Sequence, residues 1–427
     1  MSEASRTGIA WSSDYGDRPG LGALHGGSRA WWRAPCLPLA VGAAIAPTAA
    51  VLQSKAMAPI AIVTMLLAVI AHRREARVWP WPGGPAVWMA LALAAWGAAS
   101  AAWAPDQRAA LAAAGTLAGL ALLASAAGRA ALEDGWRARR VLGWAVVGGL
   151  AAGLLAAALD HLTGQGLRMA VRGLSATRPG LEFGLKPAAS VMALLLPLVL
   201  ALPIRGVWRW LIAAAGAAVI LILPGDTAKV AAVAGLAAAG LVAVAGRAAS
   251  ALLGTAAAAA LVAAPLLMPM VLNPEVAGRA NLSGLHRLLI WDFAIERAAE
   301  KPLTGWGMEA SRAIPGGHDN PSPASLARLG VTQRERIDWS RTPGVERMPL
   351  HPHNGALQIA LELGWPGLIL AGLLVLALAW GSGPVAFGVL ASAAVTFLAS
   401  FGVWQPWWVA SQALAAALAM GLAGRRL

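Results

Sequence analysis

The fold of this chain is decided by residues 351–368, which read His351-Pro-His-Asn-Gly-Ala-Leu-Gln-Ile-Ala-Leu-Glu-Leu-Gly-Trp-Pro-Gly-Leu368. The first four residues close the one long polar insert of the chain, and the rest opens an apolar segment long enough to cross a bilayer. Two histidines, whose side chains titrate near neutral pH, therefore stand at a predicted membrane surface. Because a polar group beside lipid is costly unless it is paired or used, this boundary is the first candidate for chemistry.

The composition predicts an all-α polytopic membrane protein. Of the 427 residues, 58% are hydrophobic and only 12% are charged, with a mean hydropathy of +0.64, whereas a soluble domain carries about 25% charged residues. The formal net charge of +13 does not indicate nucleic-acid binding, because the arginines are scattered between apolar runs and form no continuous basic face. The single cysteine, Cys36, excludes an internal disulfide framework.

We expect about twelve transmembrane helices. Apolar runs of roughly 17–25 residues mark such helices, and they lie near residues 36–53, 56–71, 84–103, 109–127, 141–159, 186–204, 209–224, 228–246, 249–271, 355–379, 384–401 and 405–422. With the amino terminus inside, the arginine-rich short loops all fall on the cytoplasmic side, as the positive-inside rule requires.

This topology divides the chain into four parts. We expect a disordered cytoplasmic leader (1–34), transmembrane helices 1–9 (35–271), one long periplasmic loop (272–352), and transmembrane helices 10–12 with a short cytoplasmic tail (353–427). The loop is too small and too polar for a large core, so it should lie on the membrane domain. In a Gram-negative cell the protein would be a multi-pass protein of the inner membrane.

The long loop is predicted to contain an amphipathic helix over residues 287–301. Apolar and acidic side chains follow separate stripes at helical spacing: Leu288, Trp291 and Ile295 on one, and Asp292, Glu296 and Glu300 on the other. Pro302 ends the helix, and Pro302-Leu-Thr-Gly-Trp-Gly307 predicts a tight turn. Residues 313–349, rich in Pro, Gly and Arg, predict an irregular segment that could serve as a lid.

A polar stripe marks the start of the helix that His353 opens. Asn354, Gln358 and Glu362 fall at positions i, i+4 and i+8 of an otherwise apolar segment, so we expect them to face a cavity. Pro352 is typical of a helix start, where free backbone N–H groups and the helix dipole favour binding of an anion such as phosphate. Two other interpretations are open: the histidines and Asn354 simply cap the helix, or His351 and His353 bind a metal with His318-Asp319.

Two cations are predicted on the same outward side as the histidines. Arg287 begins the amphipathic helix, and Lys229, one of only four lysines, begins an apolar run. Each alone is explained by an ordinary interface residue whose long side chain reaches the headgroups. Together with a histidine they suit a substrate that carries phosphate charge and a hydroxyl that must lose its proton.

These residues resemble a known family. The order is Lys229 at a span start, then Arg287-Leu-Leu-Ile-Trp291, then Pro302-Leu-Thr-Gly-Trp-Gly307, then His353-Asn-Gly-Ala-Leu-Gln358 with Glu362-Leu-Gly-Trp-Pro-Gly367. It is similar to that of the O-antigen ligase and O-antigen polymerase superfamily over about residues 180–400. The resemblance implies a GT-C-like membrane glycosyltransferase that takes a glycan from undecaprenyl pyrophosphate at the periplasmic face, with no metal, cofactor or nucleotide sugar.

The resemblance also implies roles for single residues. His353 would be the general base, Arg287 a ligand of the pyrophosphate, and Lys229 would stand where the family usually has arginine; lysine offers a point charge rather than a bidentate fork. The remaining candidates are expected to bind substrate: His351, Asn354, Gln358, Glu362, Trp291, Arg178 and Lys186. The reaction would be inverting transfer to a hydroxyl of lipid A-core.

Two alternatives are compatible with the sequence. A polymerase would extend a carrier-linked glycan with the same leaving group and base, and a relative that glycosylates protein would do so on Ser or Thr. A polysaccharide transporter is a different class of protein, but transporters place their unusual residues mid-membrane in two matching halves. Here those residues gather outside nearly charge-free segments.

Overall fold

The computed structural model describes residues 31–178 and 180–423, and within them every regular element is a helix. The α-helices of these residues are α1 Cys36–Leu52, α2 Met57–Ala76, α3 Pro85–Ala99, α4 Gln107–Leu132, α5 Trp136–Leu162, α6 Gly166–Val171, α7 Leu185–Leu195, α8 Gly206–Ile222, α9 Asp226–Ala245, α10 Arg247–Leu267, α11 Pro274–Arg279, α12 Leu282–Glu300, α13 Pro323–Arg328, α14 Arg334–Ser340, α15 Gly355–Ala379, α16 Pro384–Ala399 and α17 Pro406–Ala423. The predicted leader lies outside these ranges up to residue 30, and so does the end of the predicted tail, 424–427. Trp31–Arg33, within the predicted disordered leader, form a 3₁₀ turn.

Eight of the described helices are long and apolar enough to cross a membrane. They are α2, α3, α4, α5, α9, α10, α15 and α17, with α2, α3 and α10 prolonged by 3₁₀ turns. Each of the twelve predicted apolar segments coincides with a helix, but four of these helices, α1, α7, α8 and α16, form shorter apolar segments of 10–17 residues. The described part of the chain is therefore all-helical, with eight candidate membrane spans.

Small residues let the helices approach each other closely. A Cβ atom on Gly149 of α5 would lie 2.1 Å from the carbonyl oxygen of Ala43 in α1, and one on Gly153 would lie 2.4 Å from the Cβ of Pro47. Helices in lipid associate through such contacts, because burying apolar surface gains little there. Close packing thus accounts for much of the glycine and alanine in these segments.

Two packed groups of helices build the membrane domain. One apolar core joins side chains of α1, α2, α5, α7 and α17. The other joins side chains of α3, α4, α10 and α15. Because α12 of the insert also contacts α15 through Phe293 and Leu361, helix α15 lies between the membrane core and the insert.

The insert is more regular than the sequence predicts. Helix α12 begins at Leu282, so the predicted start at Arg287 is five residues too late. Residues 313–349 are not wholly irregular, because α13 and α14 form within them around a small core that includes Leu285, Leu288 and Leu326. These helices are only 6 and 7 residues long, too short for a recognisable 3.6-residue repeat.

The acidic stripe of α12 binds arginines of the insert. Asp292 accepts two hydrogen bonds from Arg328, at 2.6 and 3.0 Å. Glu296 accepts one from Arg347 at 3.1 Å. These ion pairs hold the segment after α12 against that helix.

Candidate active site

Helix α15 is interrupted at its tenth residue. Gly364 has φ 61° and ψ −162°, which is not a helical conformation, and Pro366 has no N–H to donate. The carbonyl groups of residues 361–363 therefore lose their usual partners within the helix. A buried carbonyl without a donor is costly in lipid, so these three groups need donors from elsewhere.

The turn Pro302–Gly307 supplies most of those donors. The backbone N–H of Trp306 donates to the carbonyl oxygen of Leu361 at 2.9 Å, and that of Gly307 donates to Glu362 at 2.8 Å. The third donor comes from α3, where the Trp96 indole donates to the carbonyl oxygen of Leu363 at 2.9 Å. In return, Pro302 accepts the N–H of Trp365 at 2.9 Å. A Cβ on Gly305 would lie 2.3 Å from the backbone of Glu362. The two glycine-containing motifs of the sequence are thus the two halves of one backbone junction.

Glu362 is fully buried beneath this junction, with 0% of its surface exposed. Five protein donors surround its carboxylate: the backbone N–H groups of Glu309 (2.8 Å) and Ser311 (3.3 Å), the Ser311 hydroxyl (2.5 Å), the Gln358 amide (3.0 Å) and the Trp404 indole (2.6 Å). The expectation that Asn354, Gln358 and Glu362 face a cavity is therefore wrong. Gln358 and Glu362 bind the adjoining loops and Asn354 caps its own helix, because buried polar groups are stabilised by fixed donors and acceptors.

His353 stands just before α15 in a left-handed conformation, with φ 55°. Its Nδ1 lies 2.6 Å from the carbonyl oxygen of Ser400. A carbonyl oxygen can only accept, so Nδ1 carries a hydrogen and donates it, which leaves the lone pair of a neutral ring on Nε2. Burial lowers the pKa of His353, the charges of Arg287 and His286 lower it further, and the bond to Ser400 opposes them. His353 is therefore suited to accept a proton at Nε2 near neutral pH.

Arg287 and Trp291 lie on one face of α12, directed at the His353 segment. The Trp291 indole donates to the carbonyl oxygen of Pro352 at 2.8 Å. Arg287 is half-buried and close enough to influence the pKa of His353. Among the described residues it has no carboxylate partner, so its charge is available to an anion.

Of His351, His353 and Asn354, which were interpreted as possible helix caps, only Asn354 caps the helix. Asn354 caps α15, because its Oδ1 accepts the N–H of Leu357 at 3.1 Å. His351 has another position: its ring packs on that of His353, with centroids 4.4 Å apart, and is 6% exposed. Neither ring nitrogen of His351 has a hydrogen-bond partner within the described part of the chain.

The start of α9 contacts the end of α16, next to the residue that binds His353. The Thr227 hydroxyl donates to Ala399 at 3.4 Å, one residue before the Ser400 carbonyl that binds His353. Lys229, two residues after Thr227, forms an ion pair of 3.1 Å with Asp226, whose side chain is 96% exposed. Lys229 therefore shares its charge with a solvated carboxylate.

The remaining two candidates are less closely placed. Lys186 lies beside the start of α9, 3.5 Å from the position of a Cβ on Gly225, and its Nζ lies 4.7 Å above the ring of Phe183. Arg178 is exposed, and no contact joins its side chain to the other candidates within the described ranges. The contacts described for Lys229, Lys186 and Arg178 do not join them to the other predicted residues. Contacts and charge thus link seven of the ten predicted residues: His351, His353, Asn354, Gln358, Glu362, Arg287 and Trp291.

The loop Ser400–Gln405, between α16 and α17, was missed by the sequence reasoning. It binds His353 through Ser400, Gln358 through the N–H of Val403 at 3.0 Å, and Glu362 through Trp404. In the sequence it reads Ser-Phe-Gly-Val-Trp-Gln, is followed by Pro406, and lies between two apolar runs. A glutamine and a proline at that point were the available signal of a structured loop.

The described residues offer no group of three His, Cys, Asp or Glu side chains able to hold one metal ion. His318, part of the metal interpretation, instead pairs with Glu346 at 2.7 Å, and this carboxylate raises the pKa of His318. The geometry thus gives no support to a site formed by His351, His353 and His318.

Comparison with known proteins relates part of this chain to a family. Residues 187–372 match the family model described as O-antigen ligase. This span includes Lys229 in α9, Arg287 in α12 and His353 just before α15. The match, over less than half of the chain, supports the O-antigen ligase superfamily for this segment.

Curated relatives of this O-antigen ligase domain carry compatible names. Two proteins named "Putative polysaccharide ligase", from Rickettsia conorii and Rickettsia bellii, are 30% and 31% identical over 36% and 35% of this chain. A Rickettsia typhi protein of the same name is 26% identical over 45%. The chain spans 37%, 38% and 47% of the lengths of these three relatives. No solved structure gives a significant match.

Three features therefore meet at the start of α15. They are a partly buried histidine whose Nε2 is left with its lone pair, an arginine without a carboxylate partner among the described residues, and a loop that binds the histidine ring.

Proposed function

We propose that this protein is an inverting glycosyltransferase of the O-antigen ligase type. It transfers a glycan from undecaprenyl pyrophosphate to a hydroxyl of lipid A-core at the periplasmic face of the bacterial inner membrane. The observation that carries the proposal is His353, whose Nδ1 is held by Ser400 and whose Nε2 is left to act as a base beside the unpaired Arg287. The ligase names of the Rickettsia relatives favour ligation over polymerisation.

In the proposed reaction, the acceptor hydroxyl gives its proton to Nε2 of His353 as its oxygen attacks the anomeric carbon. The bond from that carbon to the pyrophosphate oxygen breaks, and the leaving pyrophosphate keeps the electron pair. Arg287 stabilises the negative charge that develops on it, and Lys229 adds a second cation. Attack opposite the leaving group inverts the anomeric centre.

Burial supports this assignment of the base. A neutral histidine is needed to accept a proton, and burial together with Arg287 and His286 lowers the pKa of His353. The same arginine that would bind the leaving group therefore also keeps the base neutral. Trp291 and Asn354 hold the segment that carries His353.

The proposal includes a twelve-span topology. The four shorter apolar helices pack within the same bundle as the eight long ones: α1 contacts α5, and α16 contacts α9. Twelve crossings with a cytoplasmic amino terminus put the insert, Lys229 and His353 on the periplasmic side. The lipid carrier then enters sideways between helices and keeps its charged head at that surface.

A transfer assay in detergent tests the proposal. Purified protein is given an undecaprenyl-pyrophosphate-linked glycan, with lipid A-core and a carrier-linked repeat unit offered as competing acceptors. Ligation predicts that the glycan appears on lipid A-core and that free carrier pyrophosphate is released. Extension of the carrier-linked unit would show a polymerase instead, and intact donor would favour a transporter, because no membrane is present to cross.

A further inference from the structure

We propose that the loop Ser400–Gln405 is a positioning element that fixes which ring nitrogen of His353 carries the hydrogen, and that the bond between Trp404 and Glu362 holds this loop in place. The inference rests on the proposed function of His353 as the base. It assigns a role to residues outside the segment that matches the family, 187–372.

The first step is the contact that selects the tautomer. Ser400 ends α16 with φ −137° and ψ −84°, outside the helical region, and its carbonyl group accepts Nδ1–H of His353 at 2.6 Å. Neutral imidazole in water prefers the opposite tautomer, with the hydrogen on Nε2. A fixed acceptor at Nδ1 is therefore needed to keep the Nε2 lone pair free for the acceptor hydroxyl.

The second step is the anchorage of the loop. A carbonyl group can select a tautomer only if the segment that carries it cannot move away. Within four residues after Ser400 the loop is bound to α15 twice: Val403 donates its N–H to Gln358 at 3.0 Å, and the Trp404 indole donates to Glu362 at 2.6 Å. Trp404 is 3% exposed and Glu362 is 0% exposed, so water cannot readily replace this bond.

A third contact closes the loop on the histidine pair. A Cβ on Gly402 would lie 3.2 Å from the ring of His351, which in turn packs on His353. Loop, histidine pair and helix α15 thus form one continuous set of contacts. Glu362 acts on the base through the loop, by way of Trp404 and of Gln358 and Val403, which makes it a positioning residue.

The experiment compares Trp404→Phe with Trp306→Phe in the full-length protein in detergent. Each change removes one indole N–H bond and keeps an aromatic ring. Trp306 donates to the carbonyl of Arg297, away from the loop. Gln358→Met, which removes the amide that binds Val403 and Glu362, tests the same anchorage if Trp404→Phe fails to fold.

Two measurements are made on each variant. The first separates kcat from KM for glycan transfer: we expect Trp404→Phe to lower kcat about tenfold or more and to leave KM nearly unchanged. The second is the ¹⁵N spectrum of labelled histidine, with the His353 signals identified by their loss in His353→Gln. We expect hydrogen on Nδ1 in the wild type and in Trp306→Phe, and a shift towards Nε2–H in Trp404→Phe.

The outcomes separate this inference from the proposed function. If Trp404→Phe and Gln358→Met keep both the wild-type kcat and the wild-type tautomer, the positioning role is overturned while the proposed transfer stands. If His353→Gln transfers as fast as the wild type, the proposed function fails, and the histidine spectrum still shows whether the loop fixes the ring.

Discussion

The indole nitrogen of Trp291 lies 2.8 Å from the carbonyl oxygen of Pro352, to which it donates a hydrogen bond. This bond joins α12, which carries Arg287, to the residue before His353. It explains the spacing of the Arg-x-x-x-Trp motif, because residues four apart lie on the same face of a helix. Arginine and tryptophan thus meet the histidine segment together.

Trp291→Phe removes this bond and leaves an aromatic ring in place. We expect glycan transfer to fall about three- to tenfold, the effect of losing about 1 kcal/mol of positioning from a neutral hydrogen bond. The measurement is kcat/KM in detergent. Trp88→Phe, at a tryptophan of α3 that is 62% exposed, is the matched control; an equal loss in both variants would contradict the role of Trp291.

Gly364→Ala should destabilise the protein more than an ordinary glycine substitution. Alanine would need φ 61° and would place its Cβ 2.5 Å from the carbonyl oxygen of Leu303. Gly381→Ala meets the same strain, with φ 69°, but open space around the new Cβ. We expect a cost of about 1–3 kcal/mol for the backbone strain in both variants, and a further loss of thermal stability in Gly364→Ala alone. Equal melting temperatures would show that the junction with residues 302–307 contributes nothing.

The pH dependence of transfer should report the pKa of His353. Transfer needs the neutral ring, so the rate falls on the acidic side as His353 is protonated. Because burial and the charge of Arg287 lower this pKa, we expect the acidic limb below the ordinary histidine range. Arg287→Gln removes one lowering cause, so the limb should move to higher pH, separately from any loss of rate.

The control for this shift is Arg279→Gln, which removes an exposed arginine paired with Glu275 in the same insert. His351 and His286 also adjoin His353 and remain in both variants. A limb that stays at the same pH in Arg287→Gln would contradict the electrostatic coupling between Arg287 and His353.

His351 should make the fold sensitive to acid. Burial, and then the charge of His353, lowers the pKa of His351 from 6.5 to about 4. Below about pH 6.5 the unfolded chain binds this proton and the folded chain does not, so stability is full above that pH and is lost as the pH falls towards 4. The loss is on the order of 3 kcal/mol.

The check is the melting temperature between pH 7 and pH 4 in detergent. His351→Gln lacks the titrating ring, so its melting temperature should decline less over this range than that of the wild type. His161→Gln, at an exposed histidine, serves as the control and should decline like the wild type. Parallel curves for all three proteins would contradict the assignment.

Several features of this fold and site were accessible from the sequence. Hydropathy located all twelve apolar segments, because a bilayer demands long runs without charge, and the motif order singled out His353 and Arg287. The same reasoning misjudged Glu362. A carboxylate entering an apolar helix predicts a cavity, but here five donors satisfy it, four of them from distant segments.

These hydrogen-bond partners could not be predicted from the sequence for a physical reason. Ser311, Trp404 and Ser400 lie 51, 42 and 47 residues from the side chains they bind. Periodicity and capping describe neighbours within a few positions, whereas these pairs are brought together by tertiary packing alone. The break at Gly364 had a signal in Gly-Trp-Pro, but its partner, the turn 302–307, is about sixty residues earlier in the sequence.

The most direct test of the account is the rate of glycan transfer by purified His353→Gln protein, from an undecaprenyl-pyrophosphate-linked donor to lipid A-core in detergent. His318→Gln, at a largely exposed histidine paired with Glu346 in the same insert, is the control. General base catalysis contributes about 10²–10⁴-fold. We therefore expect the transfer rate to fall by that factor in His353→Gln and to stay at the wild-type value in His318→Gln, with both proteins folded. A wild-type rate in folded His353→Gln would contradict it.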